Sequence, residues 1–280
     1  MTQPSRRTHP AALRRHAKIT IAKNGFDMQR QDFHKLFKSP GPVVLPVIHV
    51  LDIEQTERNL RIAMQAGAPG VLLINHDISV EAFLPIIRSA RARFPSAWIG
   101  VNFLAVTGKA AFPILGDLQR EGIAVDAYWA DDACLNELEP VGNQKDAAEI
   151  EAIRRTSGWE GLYMGGTCFK KQREVAPEHY EVSAQIAVSW MDVVTTSGIA
   201  TGHAPELDKI EAFRRGIGNA ALALASGITP ENAPVFAPLV DCFIVGTGIS
   251  FDGDFHNLDP ERLVRLLAFT RGQGEIQCPV

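Results

Sequence analysis

The chain has 280 residues, of which 46% are hydrophobic and 21% are charged, and its formal net charge is −4 at pH 7. This composition is typical of a globular protein with a large core, and the slightly acidic balance argues against nucleic acid as a partner. The sequence also lacks an apolar run of the roughly 18 residues that a membrane-spanning helix needs.

Charge is distributed unevenly along the chain. Residues 1–42 contain nine Lys and Arg residues against Asp27 and Asp32, a balance of +7, so residues 43–280 carry −11. The basic start lacks the apolar core of a secretion signal, and two prolines interrupt the amphipathic helix that an organelle transit peptide would need. The four cysteines are widely spaced without a CxxC pair, as in reduced intracellular proteins. We therefore predict a cytoplasmic protein with a basic N-terminal extension over residues 1–42.

From residue 43 onward, short apolar runs alternate with segments of helical periodicity. A short helix within residues 27–37 precedes them. The runs predict strands at 43–50, 71–75, 98–103, 125–129, 161–165 and 192–196, and two more that begin at Ala220 and Val240. The intervening segments predict helices at 53–67, 79–94, 109–121, 144–155, 177–188, 206–215 and 259–271, with another beginning at Thr229-Pro230.

This strict alternation implies parallel strands joined by right-handed crossovers. A closed barrel and an open doubly wound sheet both satisfy that rule. An open sheet usually carries a glycine-rich fingerprint after its first strand, whereas here the sequence reads His49-Val50-Leu51-Asp52. We therefore predict an α/β fold, a (β/α)₈ or TIM barrel over residues 43–280.

The loops that follow strands 7 and 8 are rich in small residues. In a (β/α)₈ barrel these two loops commonly bind phosphate, because backbone N–H groups stabilise an anion and glycine allows a close approach. Residues after strand 6 would add further donors. The predicted phosphate site comprises Ser197, Gly198, Ser226, Gly227, Gly246, Thr247 and Gly248. The alternative is that these glycines only close tight turns.

Catalytic residues of such barrels lie at the carboxyl ends of the strands. The predicted catalytic residues there are His49, Asn102, Asp131 and Lys171, and the predicted substrate-positioning residues are Asp52, Asn75, Trp129 and Thr201. The His49 imidazole is expected to change charge near neutral pH, and Asp131 is the best carboxylate for a general base. Asp52 would orient His49. A buried structural histidine is the alternative for His49.

Lys170 and Lys171 follow strand 5. A desolvated amine at this place could form a Schiff base with a carbonyl substrate. The alternative is a solvated basic rim that attracts an anionic ligand.

A metal site would draw on histidines and aspartates after strands 1 and 2, namely His49, Asp52, His76 and Asp77. Neither an HxH nor an HExxH spacing occurs among them. We therefore predict no bound metal, and we predict no cofactor.

Several motifs resemble the BtpA/SgcQ family of TIM-barrel proteins over residues 43–271, most specifically in the last 80 residues of the chain. They are Val47-Ile48-His49, Asn75, Gly100-Val101-Asn102, the segments 195–202, 225–232 and 244–248, and Asp252-Gly253 followed by 257–262. The resemblance implies the barrel fold. The family is named after a factor implicated in photosystem I biogenesis, and other members look like enzymes of sugar or nucleoside metabolism. The chain departs from the family pattern at Ile74, where an acid is expected, and over residues 127–132.

Together these features predict a protein that binds a phosphorylated small molecule, a sugar phosphate or phosphoribosyl compound, and performs isomerase- or lyase-type proton transfer. The family name suggests a different class, a non-catalytic assembly or regulatory factor whose basic arm docks an acidic partner or an anionic membrane surface. A metal-dependent hydrolase using His49, Asp52 and His76 is a third hypothesis. Exposed barrel helices often pair, so a homo-oligomer is also among the expectations.

Overall fold

The apolar runs form a closed parallel barrel in the computed structural model of the chain, which describes residues 28–170 and 172–272. Neighbouring strands follow chain order around the barrel, and β8 pairs with β1 to close it. The barrel strands are β1 Val43–His49, β2 Val71–Ile74, β3 Ile99–Asn102, β4 Ala127–Ala130, β5 Leu162–Gly166, β6 Val193–Ser197, β7 Leu222–Ala225 and β8 Cys242–Val245. The predicted (β/α)₈ fold is confirmed.

Helices follow the strands as the hydrophobic periodicity predicts. They are α1 Arg30–Phe37, α2 Ile53–Gln65, α3 Val80–Arg93, α4 Gly108–Arg120, α5 Lys145–Ser157, α6 Tyr180–Ala187, α7 Leu207–Ile217, α8 Ala233–Phe236 and α9 Pro260–Thr270. Several begin at a capping side chain, since the Asp52 carboxylate accepts from the Gln55 N–H and the Ser79 hydroxyl from the Ala82 N–H.

Two segments differ from the sequence expectation. The helix predicted to begin at Thr229-Pro230 is shorter and starts later: the Thr229 hydroxyl accepts from the Glu231 and Asn232 N–H groups as a capping side chain does, but a turn follows, and α8 is a single turn further on. The second difference is a hairpin between β8 and α9. Its strands are β9 Ser250–Phe251 and β10 Asp254–Leu258. They are short and mostly half-buried, so they carry no apolar run.

The strands place alternate side chains in the lumen of the barrel and against the helices. Val43, Leu45 and Val47 of β1 belong to the lumen cluster, which contains residues of every other barrel strand except β3. Helix α1 closes the amino end of the lumen with Phe33, which is fully buried in this cluster. This helix therefore caps the barrel.

Ion pairs that are buried or half-buried recur at the amino ends of the strands. Three aspartates, Asp126, Asp192 and Asp241, precede β4, β6 and β8, and each accepts a hydrogen bond from a main-chain N–H near the start of the preceding strand. Each aspartate also pairs with an arginine on the helix that leads into this preceding strand, namely α3, α5 or α7. The pairs are Arg91–Asp126 at 2.6 Å, Arg154–Asp192 at 2.5 Å and Arg214–Asp241 at 2.8 Å. We call this set the basal ion pairs. It gives every one of these aspartates both a charge partner and a backbone donor, as burial of a carboxylate requires.

Candidate active site

Three loops at the carboxyl ends of β6, β7 and β8 pack backbone against backbone. A Cβ atom on Gly227 would lie 2.0 Å from the Ala204 nitrogen, and one on Gly248 would lie 1.9 Å from the Ile228 carbonyl oxygen. A Cβ atom on Gly198 would lie as close to backbone atoms of the loop to which Gly198 belongs. Only glycine fits at these three positions, and the β7 and β8 loops are therefore direct neighbours.

The backbone of both loops turns sharply. Ser226 and Gly227 are consecutive residues in the left-handed region, with φ angles of 73° and 64°. Thr247 begins a 3₁₀ turn, Thr247–Ile249, directly after β8. The first N–H groups of a helical turn lack partners within that turn and therefore suit an anion. The loops thus present backbone N–H groups of the kind that can bind an anion.

Residues of these loops separate two spaces at the mouth of the barrel. Both spaces are lined by Gly202, Gly227, Thr247 and Gly248. The outer cavity has a volume of about 500 Å³, and its other lining residues include Arg262 and Arg265. The inner cavity, lined also by His49, Trp129, Lys170, Thr201 and Ser226, has a volume of only about 30 Å³. A space of that size holds a water-sized group, so a larger ligand in the inner cavity requires movement of the surrounding loops.

His49 lies at the end of β1 on the inner cavity, with 8% of its surface exposed. Burial lowers its pKa to about 3, with further lowering by His76, His256 and Lys170, against a backbone hydrogen bond with Phe255 that raises it. His49 is therefore a neutral imidazole at physiological pH. The expectation that it changes charge near neutrality is wrong, because desolvation disfavours the imidazolium form.

Asn102 and Asp131 are brought together at the ends of β3 and β4. The Asn102 side-chain amide donates to Asp131 Oδ1 at 3.0 Å. Trp129, on β4, is 4% exposed and packs against the ring of Phe169 at a centroid distance of 6.0 Å. The amide orients the carboxylate, and the indole forms part of the wall of the inner cavity.

Buried polar atoms without a hydrogen-bond partner concentrate at this end of the barrel. Five of the nine such side-chain atoms within residues 28–170 and 172–272 belong to the mouth: His49 Nδ1, Asn102 Oδ1, Trp129 Nε1, Thr195 Oγ1 and Ser226 Oγ. Buried polar groups in native proteins nearly always have a partner, and leaving one without costs free energy. The five atoms, which we call the mouth polar set, include donors and acceptors that suit a ligand bearing several hydroxyl or carbonyl groups.

Other predicted positioning residues make local contacts. Asp52 is exposed and caps α2, and the contacts of its carboxylate are within that cap rather than with His49. The Asn75 side chain joins two loops, since it accepts from the Leu104 N–H and donates to the Ile78 carbonyl.

The predicted residues after β5 and β6 are joined by hydrogen bonds. The Ser197 hydroxyl accepts from the Lys170 N–H and donates to the Gly198 carbonyl, both at 2.8 Å. The Lys170 ammonium donates to the Thr201 hydroxyl at 3.2 Å. Lys171 lies outside the residues that the structure describes. The roles predicted for these residues remain predictions.

The hairpin β9–β10 contributes residues that the sequence interpretation missed. The Phe255 ring covers His49 at a centroid distance of 4.8 Å, and His256 pairs with Asp77 at 3.2 Å. The Gln55 side chain fixes the hairpin by donating to the carbonyls of both His49 and His256. Asp252-Gly253 is the sequence signal that indicates this hairpin, because Asp-Gly is a preferred tight-turn dipeptide.

The histidines and aspartates of the metal hypothesis are used in other ways. His76 Nδ1 and His256 Nε2 contact the two carboxylate oxygens of Asp77, each at 3.2 Å. Across residues 28–170 and 172–272, no group of three or more His, Cys, Asp or Glu residues has an arrangement that would hold a metal ion. The geometry therefore offers no support for the metal-dependent hydrolase hypothesis.

No helix in the described part of the chain has the length and apolar character needed to cross a membrane. No protein-family model matches the sequence, and a comparison with curated proteins finds no match.

Many solved structures have the same fold. One is the tryptophan synthase alpha chain from Legionella pneumophila subsp. pneumophila, with a TM-score of 0.60, 16% identity, and coverage of 89% of this chain and 100% of that one. Another is the phosphoribosyl anthranilate isomerase from Thermus thermophilus, with a TM-score of 0.52, 15% identity, and coverage of 81% and 96%. At these identities the likeness shows the fold alone.

Proposed function

We propose that the protein is an enzyme that binds a phosphorylated small molecule, a sugar phosphate or phosphoribosyl compound, at the mouth of its barrel. The phosphate would contact the N–H groups of Gly227, Thr247 and Gly248. The observation that carries this proposal is the mouth polar set, because three of its residues (His49, Trp129 and Ser226) line the inner cavity beside a backbone that suits an anion. The same fold serves the phosphoribosyl anthranilate isomerase named above, which adds an analogy but no assignment.

The reaction proposed is a proton transfer of the isomerase or lyase type. Asp131, oriented by Asn102, would take a proton from the carbon next to a substrate carbonyl. His49 would orient the substrate by accepting a hydrogen bond from a substrate hydroxyl with its unpartnered Nδ1, because the single N–H of the neutral imidazole is taken by the Phe255 carbonyl. In an isomerase the proton would then return to the neighbouring carbon while the hydroxyl proton moves to the former carbonyl oxygen. In a lyase it would remain on Asp131 while the bond between the β-carbon and its leaving group breaks and that group departs with the electron pair. Lys171 keeps its predicted catalytic role as part of the same proposal.

Binding is tested by titration calorimetry with glycerol 3-phosphate, with glycerol as the dephosphorylated control. We expect saturable binding of the phosphate ester alone, weakened several-fold by Ser226→Ala and unchanged by Thr156→Ala, which alters an exposed hydroxyl on α5. Crystals soaked in inorganic phosphate should show density between the β7 and β8 loops. Binding of glycerol as strong as that of its phosphate ester, or phosphate density elsewhere, would overturn the proposal.

Catalysis is tested by incubating a panel of aldose and ketose phosphates with the protein in heavy water. We expect deuterium to enter carbon next to the carbonyl of one substrate, at a rate that Asp131→Asn lowers by about a hundredfold or more. His49→Gln should lower the same rate without abolishing phosphate binding. Deuterium incorporation that persists in Asp131→Asn would refute the assigned base.

A docking role is the alternative that the charge asymmetry favours, since residues 1–42 carry +7. Residues 28–37 belong to the barrel, because Phe33 is buried in the lumen and the Met28 carbonyl accepts from the Ala221 N–H. A truncation that separates the two functions therefore removes residues 1–27 only. An enzyme should keep its affinity for glycerol 3-phosphate after this truncation, whereas a docking protein should lose its partner.

A further inference from the structure

A buried lysine of α7 contacts the ends of two neighbouring barrel strands. The Lys209 ammonium donates to the main-chain carbonyl of Cys168, just beyond β5, at 2.6 Å. It also donates to the carbonyl of Ser197, the last residue of β6, at 2.8 Å. One side chain from the outer helix layer thus joins two loops that begin at different strands.

The position is costly for a charged group. Only 9% of the Lys209 surface is exposed, and within the described residues no ion pair joins its ammonium to a carboxylate. The neighbouring groups are the rings of Tyr180 and Phe213, at 5.1 Å and 6.0 Å from the nitrogen, and the buried Cys168 thiol. Burial lowers the pKa of Lys209 to about 8. Lysine is rarely buried without a charge partner, so its place here calls for a role beyond packing.

The two loops that Lys209 joins carry residues of the inner cavity. Lys170 and Thr201 both line that cavity and contact each other. Cys168 has a φ angle of 48°, a left-handed conformation that is unfavourable for a residue other than glycine and must be held by its surroundings. The Cys168 carbonyl that Lys209 binds belongs to this strained residue.

We propose that Lys209 is a positioning residue of the mouth, which holds the loops after β5 and β6 together and thereby sets Lys170 and Thr201 at the inner cavity. The lysine itself contacts no ligand. Its effect on ligand affinity rests on the proposed function, whereas its effect on the loops does not.

Hydrogen–deuterium exchange of the full chain tests the link between the loops. We expect Lys209→Met to accelerate exchange about tenfold in the segments following β5 and β6, and to leave the amides of β1 and β8 protected. The matched control is Arg215→Met, which removes a cation of the same helix that pairs with Glu181 on the surface. A uniform rise in exchange over the whole barrel, or no rise in the two segments, would show that Lys209 only contributes to packing.

Lys209→Arg keeps the charge and the donors, and we expect it to restore most of the protection. An Arg variant that exchanges like the Met variant would contradict the proposal. If Lys209→Met does not fold, the Arg variant decides, since wild-type protection of both loops supports the link and loss in either loop overturns it.

The ligand experiment uses glycerol 3-phosphate with the wild type and the same variants. We expect about tenfold weaker binding for Lys209→Met, near wild-type binding for Lys209→Arg, and no change for Arg215→Met. Wild-type protein that fails to bind this ester would refute the proposed function, and the exchange data would still decide the role of Lys209. Tight binding by Lys209→Met together with loosened loops would refute the effect on affinity alone.

Discussion

Buried carboxylates at the amino end of the barrel have hydrogen-bond and charge partners, whereas several buried polar atoms at the carboxyl end lack a partner within the described residues. At the amino end, the carboxylates of the basal ion pairs each have an arginine partner and a main-chain donor. At the carboxyl end, the five atoms of the mouth polar set have no partner among the described residues. Both groups are removed from water by the same cylinder of strands, so burial alone does not explain the difference.

The paired carboxylates at the amino end contribute to stability, whereas the unpartnered atoms at the carboxyl end are available to a ligand. A paired buried carboxylate is expensive to disturb, because removal of one partner leaves a charge without compensation. A buried polar atom without a partner costs the fold free energy and remains available to a ligand, as is usual at the end of a (β/α)₈ barrel where the active site lies. Substitutions at the two ends should therefore have opposite effects on stability and binding.

The largest effect is expected for Asp241→Ala at the amino end. The carboxylate pairs with Arg214 and Arg30 and accepts from the Leu222 N–H, so its loss leaves two cations and a buried donor uncompensated. We expect the free energy of unfolding to fall by about 3–5 kcal/mol, measured by urea denaturation. Asp117→Ala removes an exposed carboxylate of α4 and should leave unfolding unchanged. Equal effects of the two substitutions would contradict the structural role of the basal ion pairs.

The next effect concerns His49 and pH. Its pKa is lowered to about 3 in the folded protein, so between roughly pH 6.5 and that value the unfolded chain binds a proton that the folded protein does not. Stability must then fall as pH falls. Lowering the pH from about 7 to about 4 should reduce the free energy of unfolding by about 3 kcal/mol through this group alone. The His49→Gln variant should not show this loss. Urea denaturation at several pH values measures it, and identical pH dependence of the two proteins would show that His49 is not buried as described.

A smaller effect distinguishes two buried threonines. Thr195, in the lumen, has an unpartnered hydroxyl, whereas the Thr270 hydroxyl donates to the Leu267 carbonyl at 3.1 Å. Thr195→Val should leave the free energy of unfolding unchanged or raise it by up to about 1 kcal/mol, and Thr270→Val should lower it by about 1 kcal/mol. Thermal or urea unfolding tests both. Destabilisation by Thr195→Val would mean that its hydroxyl supports the fold.

The smallest effect separates two tryptophans whose indole nitrogens both lack a partner, Trp129 at the mouth and Trp190 after α6. Trp129→Phe should weaken glycerol 3-phosphate binding by a few-fold, because it removes an unpartnered N–H from a residue that lines the inner cavity. Trp190→Phe should leave affinity unchanged. Calorimetry measures both, and equal effects would remove Trp129 from the mouth polar set.

Local patterns of hydrophobic residues predicted most of the fold. The run Val43–His49 is apolar throughout because a strand covered on both faces must be, and Phe83, Ile86 and Ile87 recur at the helical period because α3 buries one side. The hairpin β9–β10 was missed because its residues are mostly half-buried. Their hydrophobicity follows neither the alternation of a strand nor the period of a helix.

Site residues were harder to predict. The strand ends indicated Asn102 and Asp131, and the fold joins them across 29 residues of sequence. Asp52 stands at a similar place in the sequence, yet the first turn of α2 takes its carboxylate as a cap. The sequence indicates which end of the barrel holds polar groups but not which of them have a partner.

The sequence by itself determined the eightfold alternation, the closed barrel it implies, and the position of the glycine-rich loops after β7 and β8, because these follow from local hydrophobicity and turn chemistry. Only the tertiary structure decided that His49 is neutral, that three arginines hold the amino end, and that Lys209 joins two loops. Those properties depend on contacts between residues far apart in the chain and on exclusion of water, and both exist only once the barrel has closed.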